Sequence, residues 1–243
     1  MRTLVIGDIH GAYRALIQCL DRSGFDKKKD RLICLGDVAD GWSEVVDSVE
    51  ELMTIENLIY VLGNHDNWLR NWLKFGTSEY MWLSQGGQAS VASYLRAFEQ
   101  DGTEVGKKHE EFFNKSVFHF VDEENRLFVH GGFQWKYPIE DTDPYQRMWD
   151  RHLFETAVYW ELMSKRTQEP AFKVELYKEI FIGHTTTSYQ WTDVKPVHVS
   201  NVWNLDQGAG WEGKLTIMDV DTKEYWQSDD VKNLYPDEKG RRG

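Results

Sequence analysis

Five short apolar runs in this chain each end at a glycine that stands beside an aspartate, asparagine or histidine. The first run, which begins at Leu4, ends in Gly7-Asp8-Ile9-His10-Gly11. A short apolar run that stops at a glycine is typical of a buried strand leading into a turn. Polar residues at that point lie at the carboxyl end of the strand, where open α/β sheets bind their ligands.

The same ending recurs four times further along the chain. The later endings are Leu35-Gly36-Asp37, Leu62-Gly63-Asn64-His65-Asp66, Val129-His130-Gly131 and Ile182-Gly183-His184. Segments with helical spacing separate the first three runs, which predicts a β-α-β-α-β order with parallel strands. Two right-handed crossovers then place the first three endings along one edge of a sheet.

The length of 243 residues is sufficient for one large domain with its own core. We predict a single domain over residues 1–235, with a helical insertion at about 67–124 that caps the sheet. The charged, glycine-containing end predicts a flexible tail over residues 236–243. Residues 202–205 and 214–220 predict two paired strands of a second sheet, joined by a glycine-rich turn.

The composition limits the partners of the chain. A net charge of −12 makes an extended nucleic-acid partner unfavourable, because phosphate backbones would be repelled. The absence of a basic-plus-apolar leader and of a long apolar run predicts a cytoplasmic protein without membrane association. Cys19 and Cys34 are expected to be buried free thiols. The sequence indicates no oligomeric state.

The polar residues at the strand endings form one candidate metal site. They are Asp8, His10, Asp37, Asn64, His130 and His184. This set suits two adjacent ions that share a carboxylate, for which Asp37 is the natural bridge. Mixed Asp, His and Asn ligands favour Mn²⁺ as the first choice, with Fe or Zn²⁺ as alternatives. Ordinary turn formation could explain any single ending, but it does not explain five in series.

In this order, the motifs resemble those of the calcineurin-like metallophosphoesterases. The similarity is greatest to the phosphoprotein-phosphatase type, which includes bacterial and phage serine/threonine phosphatases and symmetrical diadenosine-tetraphosphate hydrolases. The resemblance covers residue 1 to about residue 220. It implies a four-layer α/β sandwich of two mixed β-sheets flanked by helices, with a site for two metals at the strand ends.

The resemblance also implies a role for each site residue. Asp8, His10 and Asp37 would surround the first metal, and Asp37, Asn64, His130 and His184 the second. His65 would be the general acid that protonates the leaving oxygen, and Asp40 would orient it. Imidazole titrates near neutral pH, and a carboxylate partner fixes its tautomer, so the chemistry agrees. The implied nucleophile is a hydroxide that bridges the metals, without a phosphoenzyme.

Two departures from the family pattern concern the substrate. Protein phosphatases of this type usually carry phosphate-binding arginines at positions that are Gly41 and Leu62 here. Many phosphodiesterases and nucleases of the superfamily end in Gly-His-x-His, but Thr186 stands where the second histidine would be. His198 could replace that histidine only from a different segment. The diesterase interpretation is weakened accordingly.

Without those arginines, phosphate must be held by the metals, by Asn64 and by another cation. Arg151 is the first candidate, since its guanidinium can bind phosphate in a bidentate manner, and Arg70 is the second. An ion pair with Asp150 is an equal alternative for Arg151.

The predicted function is therefore metal-dependent hydrolysis of phosphomonoesters, with a phosphoprotein or a phosphorylated small molecule as substrate. The alternative is hydrolysis of dinucleoside polyphosphates such as diadenosine tetraphosphate. The absent arginines and the tryptophan-rich insertion favour a small nucleotide slightly. A phosphodiesterase or nuclease, or a non-catalytic metal-binding protein, is less favoured.

Overall fold

The computed structural model describes residues 1–167, 172–187 and 194–242. Within these ranges, ten strands form two five-stranded sheets. The strands are β1 (Thr3–Ile6), β2 (Arg31–Cys34), β3 (Asn57–Tyr60), β4 (Phe120–Val121), β5 (Arg126–Phe128), β6 (Glu179–Ile182), β7 (Val197–Val199), β8 (Val202–Asn204), β9 (Thr216–Asp219) and β10 (Tyr225–Gln227).

The described part of the chain also contains nine α-helices, eight between these strands and one after β10. They are α1 (Tyr13–Ser23), α2 (Val45–Met53), α3 (Asn64–Phe75), α4 (Tyr80–Trp82), α5 (Gln88–Asp101), α6 (Glu104–Asn114), α7 (Pro144–Trp149), α8 (His152–Thr167) and α9 (Val231–Leu234). A π-helical turn at Leu83–Gly87 joins α4 to α5, and short 3₁₀ helices span Ile139–Asp141 and Gly240–Arg242.

Each sheet contains three adjacent parallel strands with antiparallel neighbours. The first sheet has the order β10-β9-β1-β2-β3, and the second has the order β4-β5-β6-β8-β7. Strands β1, β2 and β3 are parallel, as are β5, β6 and β8. The carboxyl ends of each parallel set therefore lie at the same edge of their sheet.

The core has three apolar layers that separate sheets and helices. Alternation along β1 directs Val5 into the layer between the two sheets, where Phe128 stacks on Phe181 with ring centroids 4.9 Å apart. Leu4 and Ile6 point to the opposite face, which packs against α1 and α2. A third apolar layer joins the second sheet to α8. The predicted four-layer α/β sandwich of two mixed sheets is confirmed.

The predicted hairpin between residues 202–205 and 214–220 is wrong. Strand β8 lies between β6 and β7 in the second sheet, whereas β9 lies between β1 and β10 in the first. The hairpin partners are instead β7 with β8 and β9 with β10. The local pattern identifies both strands, but a glycine-rich connection can cross between sheets as readily as it can reverse within one.

The helical insertion and the C-terminal segment both pack onto the sandwich. Helices α3 to α6 occupy most of the predicted insertion, although α3 begins at Asn64. The sequence predicts a flexible tail at the C-terminus. In the structure, residues 236–242 pack against the domain, and Gly240 is buried. Cys19 and Cys34 are buried free thiols, and no described helix is long and apolar enough to span a bilayer.

Candidate metal centre

The six predicted ligands converge at the carboxyl ends of the parallel strands, and all of them are buried. They follow strands in both sheets: Asp8 and His10 follow β1, Asp37 follows β2, Asn64 follows β3, His130 follows β5 and His184 follows β6. The site therefore lies where the two sheets meet. No single motif could form it, because each strand supplies at most two side chains.

Asp37 lies at the centre of this cluster. The ligand atoms of Asp8, His10 and Asp37 lie within 4.8 Å of one another, as do those of Asp37, His130 and His184. Oδ2 of Asp37 is 3.2 Å from Nε2 of His130 and 3.9 Å from Nε2 of His10. The two groups of ligands thus share the Asp37 carboxylate, as an arrangement of two bridged ions requires.

Backbone carbonyls orient two of the imidazoles. His10 Nδ1 donates to the carbonyl of Ala39 at 2.9 Å, and His130 Nδ1 donates to that of Leu35 at 2.7 Å. A carbonyl oxygen only accepts, so each Nδ1 carries a proton and each Nε2 faces the cluster. Metal-binding histidines in proteins are oriented by the same kind of contact.

His184 provides a test of whether a metal fits this site. Its Nε2 is buried and has no hydrogen-bond partner among the described residues. Burial, with the nearby charges of His130 and Arg151, holds the pKa of His184 well below its usual value, so the ring is neutral. A buried, unpaired nitrogen with a free lone pair is unfavourable unless a ligand binds it. This side chain therefore fits a metal ion.

The concentration of carboxylates provides a second test. Burial and the neighbouring Asp206 and Asp37 raise the pKa of Asp8 well above its usual value. Burial opposes the charge on His130, yet Asp37 raises the pKa of that imidazole to about 10. The cluster therefore attracts positive charge, which a divalent cation would supply in place of the proton.

Three of the predicted ligands and the neighbouring Asp40 have strained backbone conformations. His10, Asp37, Asp40 and His184 all have a positive φ, between 51° and 72°. Such a conformation costs about 1–3 kcal/mol for each non-glycine residue and is concentrated at functional sites. The neighbouring backbone also approaches closely, because a Cβ on Gly63 would lie 2.0 Å from Asp37 Oδ1.

Asp66 fixes the turn that carries Asp37. Its carboxylate accepts five hydrogen bonds of 2.7–3.1 Å, from the N–H groups of Asp37, Val38, Ala39 and Gly63 and from the Tyr60 hydroxyl. Burial and the charge on Asp37 raise the pKa of Asp66 to about 6, so it is ionised at neutral pH. This side chain therefore holds the turn after β2 against the start of α3.

His65 and Asp40 form a hydrogen-bonded pair beside the cluster. His65 Nδ1 donates to Asp40 Oδ2 at 2.5 Å, and the His65 N–H donates to Asp37 Oδ1 at 3.0 Å. Asp40 also accepts from Trp82 Nε1 at 2.8 Å and from Ser90 Oγ at 2.6 Å. Trp82 and Ser90 belong to the helical insertion, which thereby orients the predicted general acid.

The two predicted phosphate-binding arginines lie in different environments. Arg151 is exposed, and its Nη1 donates to the His184 carbonyl at 3.1 Å, at the edge of the cluster. Asp150 instead accepts from the Leu153 N–H at 3.0 Å, and the described residues contain no ion pair between Asp150 and Arg151. Arg70 donates to Asn67 Oδ1 at 2.6 Å. It makes no hydrogen bond or ion pair to any of the six predicted metal ligands, all of which lie in the described part of the chain.

Two residues near the cluster escape prediction from the sequence. Asp206 follows β8, is buried, and interacts electrostatically with Asp8 and Asp37. The local signal for Asp206 is an apolar run that ends in Leu205-Asp206-Gln207-Gly208, which is equally typical of a hairpin turn. Arg241 contributes positive charge beside His10, but nothing in the local sequence distinguishes it from other charged residues of the tail.

Comparison with known proteins gives consistent results. The model of one protein family, described as calcineurin-like phosphoesterase, matches residues 1–204. A relative from Halalkalibacterium halodurans, named bis(5′-nucleosyl)-tetraphosphatase PrpE (asymmetrical), is 24% identical over 228 residues, which are 88% of this chain and 88% of the relative. A symmetrical bis(5′-nucleosyl)-tetraphosphatase from Pseudomonas fluorescens is 29% identical over 145 residues, which are 56% of this chain and 45% of the relative.

A solved structure supports the fold. It is provisionally named a diadenosine tetraphosphatase and superposes with a TM-score of 0.62 at 18% identity. The match covers 93% of this chain and 92% of that chain.

We predict that Asp66→Asn lowers the free energy of unfolding by about 3 kcal/mol, because an amide cannot replace a carboxylate that accepts from several buried donors. Urea unfolding of the metal-free protein at pH 7.5 measures this change. Asp237→Asn, which alters an exposed carboxylate, is the matched control and should leave the unfolding midpoint unchanged. Equal stability of the two variants would contradict the role of Asp66.

We also predict that Mn²⁺ raises the melting temperature of EDTA-treated protein. Binding to the folded state alone contributes about 2.7 kcal/mol when the free ion is at 100 times its dissociation constant. Asp37→Asn should abolish this increase, because Asp37 belongs to both ligand groups. His198→Gln is the control, since His198 stacks on Trp203 outside the cluster. An unaltered Mn²⁺ response in Asp37→Asn would exclude the proposed bridge.

Proposed function

Because the chain belongs to the calcineurin-like phosphoesterase family, we propose that this metal-dependent hydrolase cleaves phosphoanhydride bonds in dinucleoside polyphosphates. The main support for this substrate is the match, over 88% of both chains, to a protein named an asymmetrical bis(5′-nucleosyl)-tetraphosphatase. The names of the relatives support the dinucleoside polyphosphate better than the phosphomonoester that the sequence placed first.

Aromatic side chains beside the cluster support a nucleotide substrate. Trp68 lies edge-on to His65 with ring centroids 5.2 Å apart, and Trp149 lies 5.9 Å from His184. The two indole rings are 5.1 Å apart. Together they form an aromatic wall, defined here as Trp68 and Trp149, that contacts His65 at one end and His184 at the other. Indole rings stack on nucleobases regardless of base identity.

Trp149 also has an unused polar group. Its Nε1 is buried and makes no hydrogen bond to any described residue. An indole N–H only donates, so it suits an acceptor on a bound ligand. A nucleotide provides such acceptors in its base, its ribose and its phosphoryl groups. This feature adds to the support for a nucleotide at the aromatic wall.

The ligand cluster suits two divalent ions held by Asp8, His10, Asp37, Asn64, His130 and His184. When bound, such ions supply Lewis-acid activation of water and neutralise charge on phosphoryl oxygens. Asn64 Oδ1 lies 3.1 Å from His130 Nε2, which leaves its amide Nδ2 to donate to a phosphoryl oxygen. We assign Asn64 to substrate binding on this basis, with exposed Arg151 as a second donor at the edge of the site.

His65 is the proposed general acid. Asp40 accepts from its Nδ1, which fixes the orientation of the ring and leaves Nε2 as the nitrogen that can donate to the leaving oxygen. The contacts of Asp40 with Trp82 and Ser90 prevent the carboxylate from rotating away. Mn²⁺ is the proposed ion, because the mixed donor set fits it better than Mg²⁺.

We expect diadenosine tetraphosphate to give a kcat/KM at least about tenfold above those of p-nitrophenyl phosphate and a phosphopeptide, because its adenine bases can stack on the aromatic wall while its phosphoryl groups occupy the site. One substrate panel at fixed Mn²⁺ measures these values, with chromatographic analysis of the nucleotide products. A preference for the phosphopeptide would support a protein phosphatase instead. A preference for bis-p-nitrophenyl phosphate would support a phosphodiesterase.

In the same panel, Trp68→Leu and Trp149→Leu should raise KM for diadenosine tetraphosphate and leave p-nitrophenyl phosphate hydrolysis nearly unchanged. Loss of one base stack is worth about 1–3 kcal/mol. Trp160→Leu is the matched control, because Trp160 is 46% exposed on α8. Equal effects of all three substitutions would contradict the proposed stacking.

We predict that His65→Asn retains Mn²⁺ binding but reduces kcat for an alkyl phosphate by about 10²–10⁴, the usual contribution of a general acid. The loss should be smaller for p-nitrophenyl phosphate, since its leaving group requires less protonation. Asp40→Asn should give the same pattern in weaker form. Full turnover of the alkyl phosphate by His65→Asn would exclude the general-acid role.

A further inference from the structure

Arg241 approaches the predicted metal site from the C-terminal segment. A Cβ placed on Gly41 would lie 3.3 Å from Arg241 Cγ and 3.2 Å from His10 Cβ. A Cβ placed on Gly210 would lie 2.8 Å from Arg241 Cδ and 2.5 Å from His10 Cδ2. The arginine stem and the ligand histidine therefore flank the same two glycines, and larger side chains there would collide with both.

The guanidinium of Arg241 forms no ion pair with a carboxylate among the described residues, and the buried Asp206 is the acidic group with which it interacts electrostatically. Its Nε and Nη2 donate to the carbonyl and side-chain oxygens of Gln85, at 3.3 and 3.2 Å, and it lies 4.9 Å from the Trp211 ring centroid. Among the described residues, Arg241 forms no ion pair and its Nη1 makes no hydrogen bond. The side chain is half-buried, so a positive charge is partly desolvated without a direct ion pair among the described residues.

The neighbouring arginine provides a contrast. Arg242 is exposed and forms an ion pair with Glu212, with 2.9 Å between Nη1 and Oε1. Consecutive residues of one short helix thus place one guanidinium in a surface ion pair and the other beside His10. Attachment of the segment to the surface does not require the half-buried charge of Arg241, which forms no ion pair among the described residues.

We propose that Arg241 binds a phosphoryl group of the substrate beside the metal site. The inference rests on the proposed function, since a dinucleoside polyphosphate has several adjacent phosphoryl groups. The predicted ligands would hold the group that reacts, and Arg241 a neighbouring one. Its planar fork can donate two parallel hydrogen bonds to phosphoryl oxygens, one from the free Nη1 and one from the second hydrogen of Nη2.

The segment that carries Arg241 has attachments of its own. Glu238 accepts from the Ser43 N–H at 2.9 Å and from the Ser43 hydroxyl at 2.7 Å. The Arg241 N–H donates to the Gly210 carbonyl at 2.9 Å. These contacts do not involve the guanidinium. Substitution of the Arg241 side chain should therefore remove the charge without releasing the segment.

The test is calorimetric titration of the Mn²⁺-loaded protein with ADP, at one free Mn²⁺ concentration for all variants. R241Q and R241M should each raise the Kd for ADP about tenfold, which corresponds to about 1.4 kcal/mol. R241M keeps an apolar stem against the two glycines. Equal Kd increases in R241M and R241Q would therefore show that the lost charge, and not lost packing, weakens ADP binding. R241K should recover part of the affinity, and R242Q is the matched control with wild-type affinity.

Wild-type ADP affinity in folded R241Q and R241M would overturn the proposal. A loss of Mn²⁺ affinity as large as the loss of ADP affinity would also overturn it, because it would assign Arg241 to the metal site. Melting temperatures and Mn²⁺ titrations of each variant measure these alternatives. Binding of ADP requires no turnover, so the measured change in ADP affinity does not depend on whether the protein cleaves diadenosine tetraphosphate. Failure to cleave diadenosine tetraphosphate, together with weakened ADP binding in R241Q, would refute the substrate and retain the role of Arg241.

Discussion

The buried carboxylate of Asp37 is the constraint on which the rest of the site depends. It contacts histidines from both sheets, and it lies in a region where Asp8 and Asp206 are also buried. Negative charge at this density is unfavourable in a protein interior unless cations or donors compensate it. The surrounding structure provides this compensation through oriented imidazoles, through the turn held by Asp66 and through a geometry suited to divalent ions.

Three parts of the chain contribute different functions to this centre. The sandwich supplies the predicted ligands, because both sets of parallel strands end at the same place. The helical insertion supplies Trp82 and Ser90, which orient Asp40 and hence His65. The C-terminal segment supplies Arg241. The proposed substrate binding and acid catalysis would therefore depend on segments outside the sandwich, which would allow them to differ between relatives that share the ligand motifs.

Much of the fold and of the candidate centre could be predicted from the sequence. Asp8, Asp37 and Asn64 each follow an apolar run at a glycine, and that local pattern reports a strand end regardless of what lies around it. The partner of β9 could not be predicted in this way, because strand pairing depends on contacts between distant segments. Asp206 escapes prediction for the same reason, because the neighbours of its strand, β8, are also set by contacts between distant segments.

By itself, the sequence determined the strand endings, the residue types at them and their order, because these depend on local hydrophobic pattern and turn chemistry. Only the tertiary structure decided that Asp37 lies between two groups of ligands and that Arg241 lies beside His10. Both arrangements join residues far apart in the chain, and Arg241 and His10 approach each other around Gly41 and Gly210. Their formation depends on how two sheets and a terminal segment pack, which no local pattern encodes.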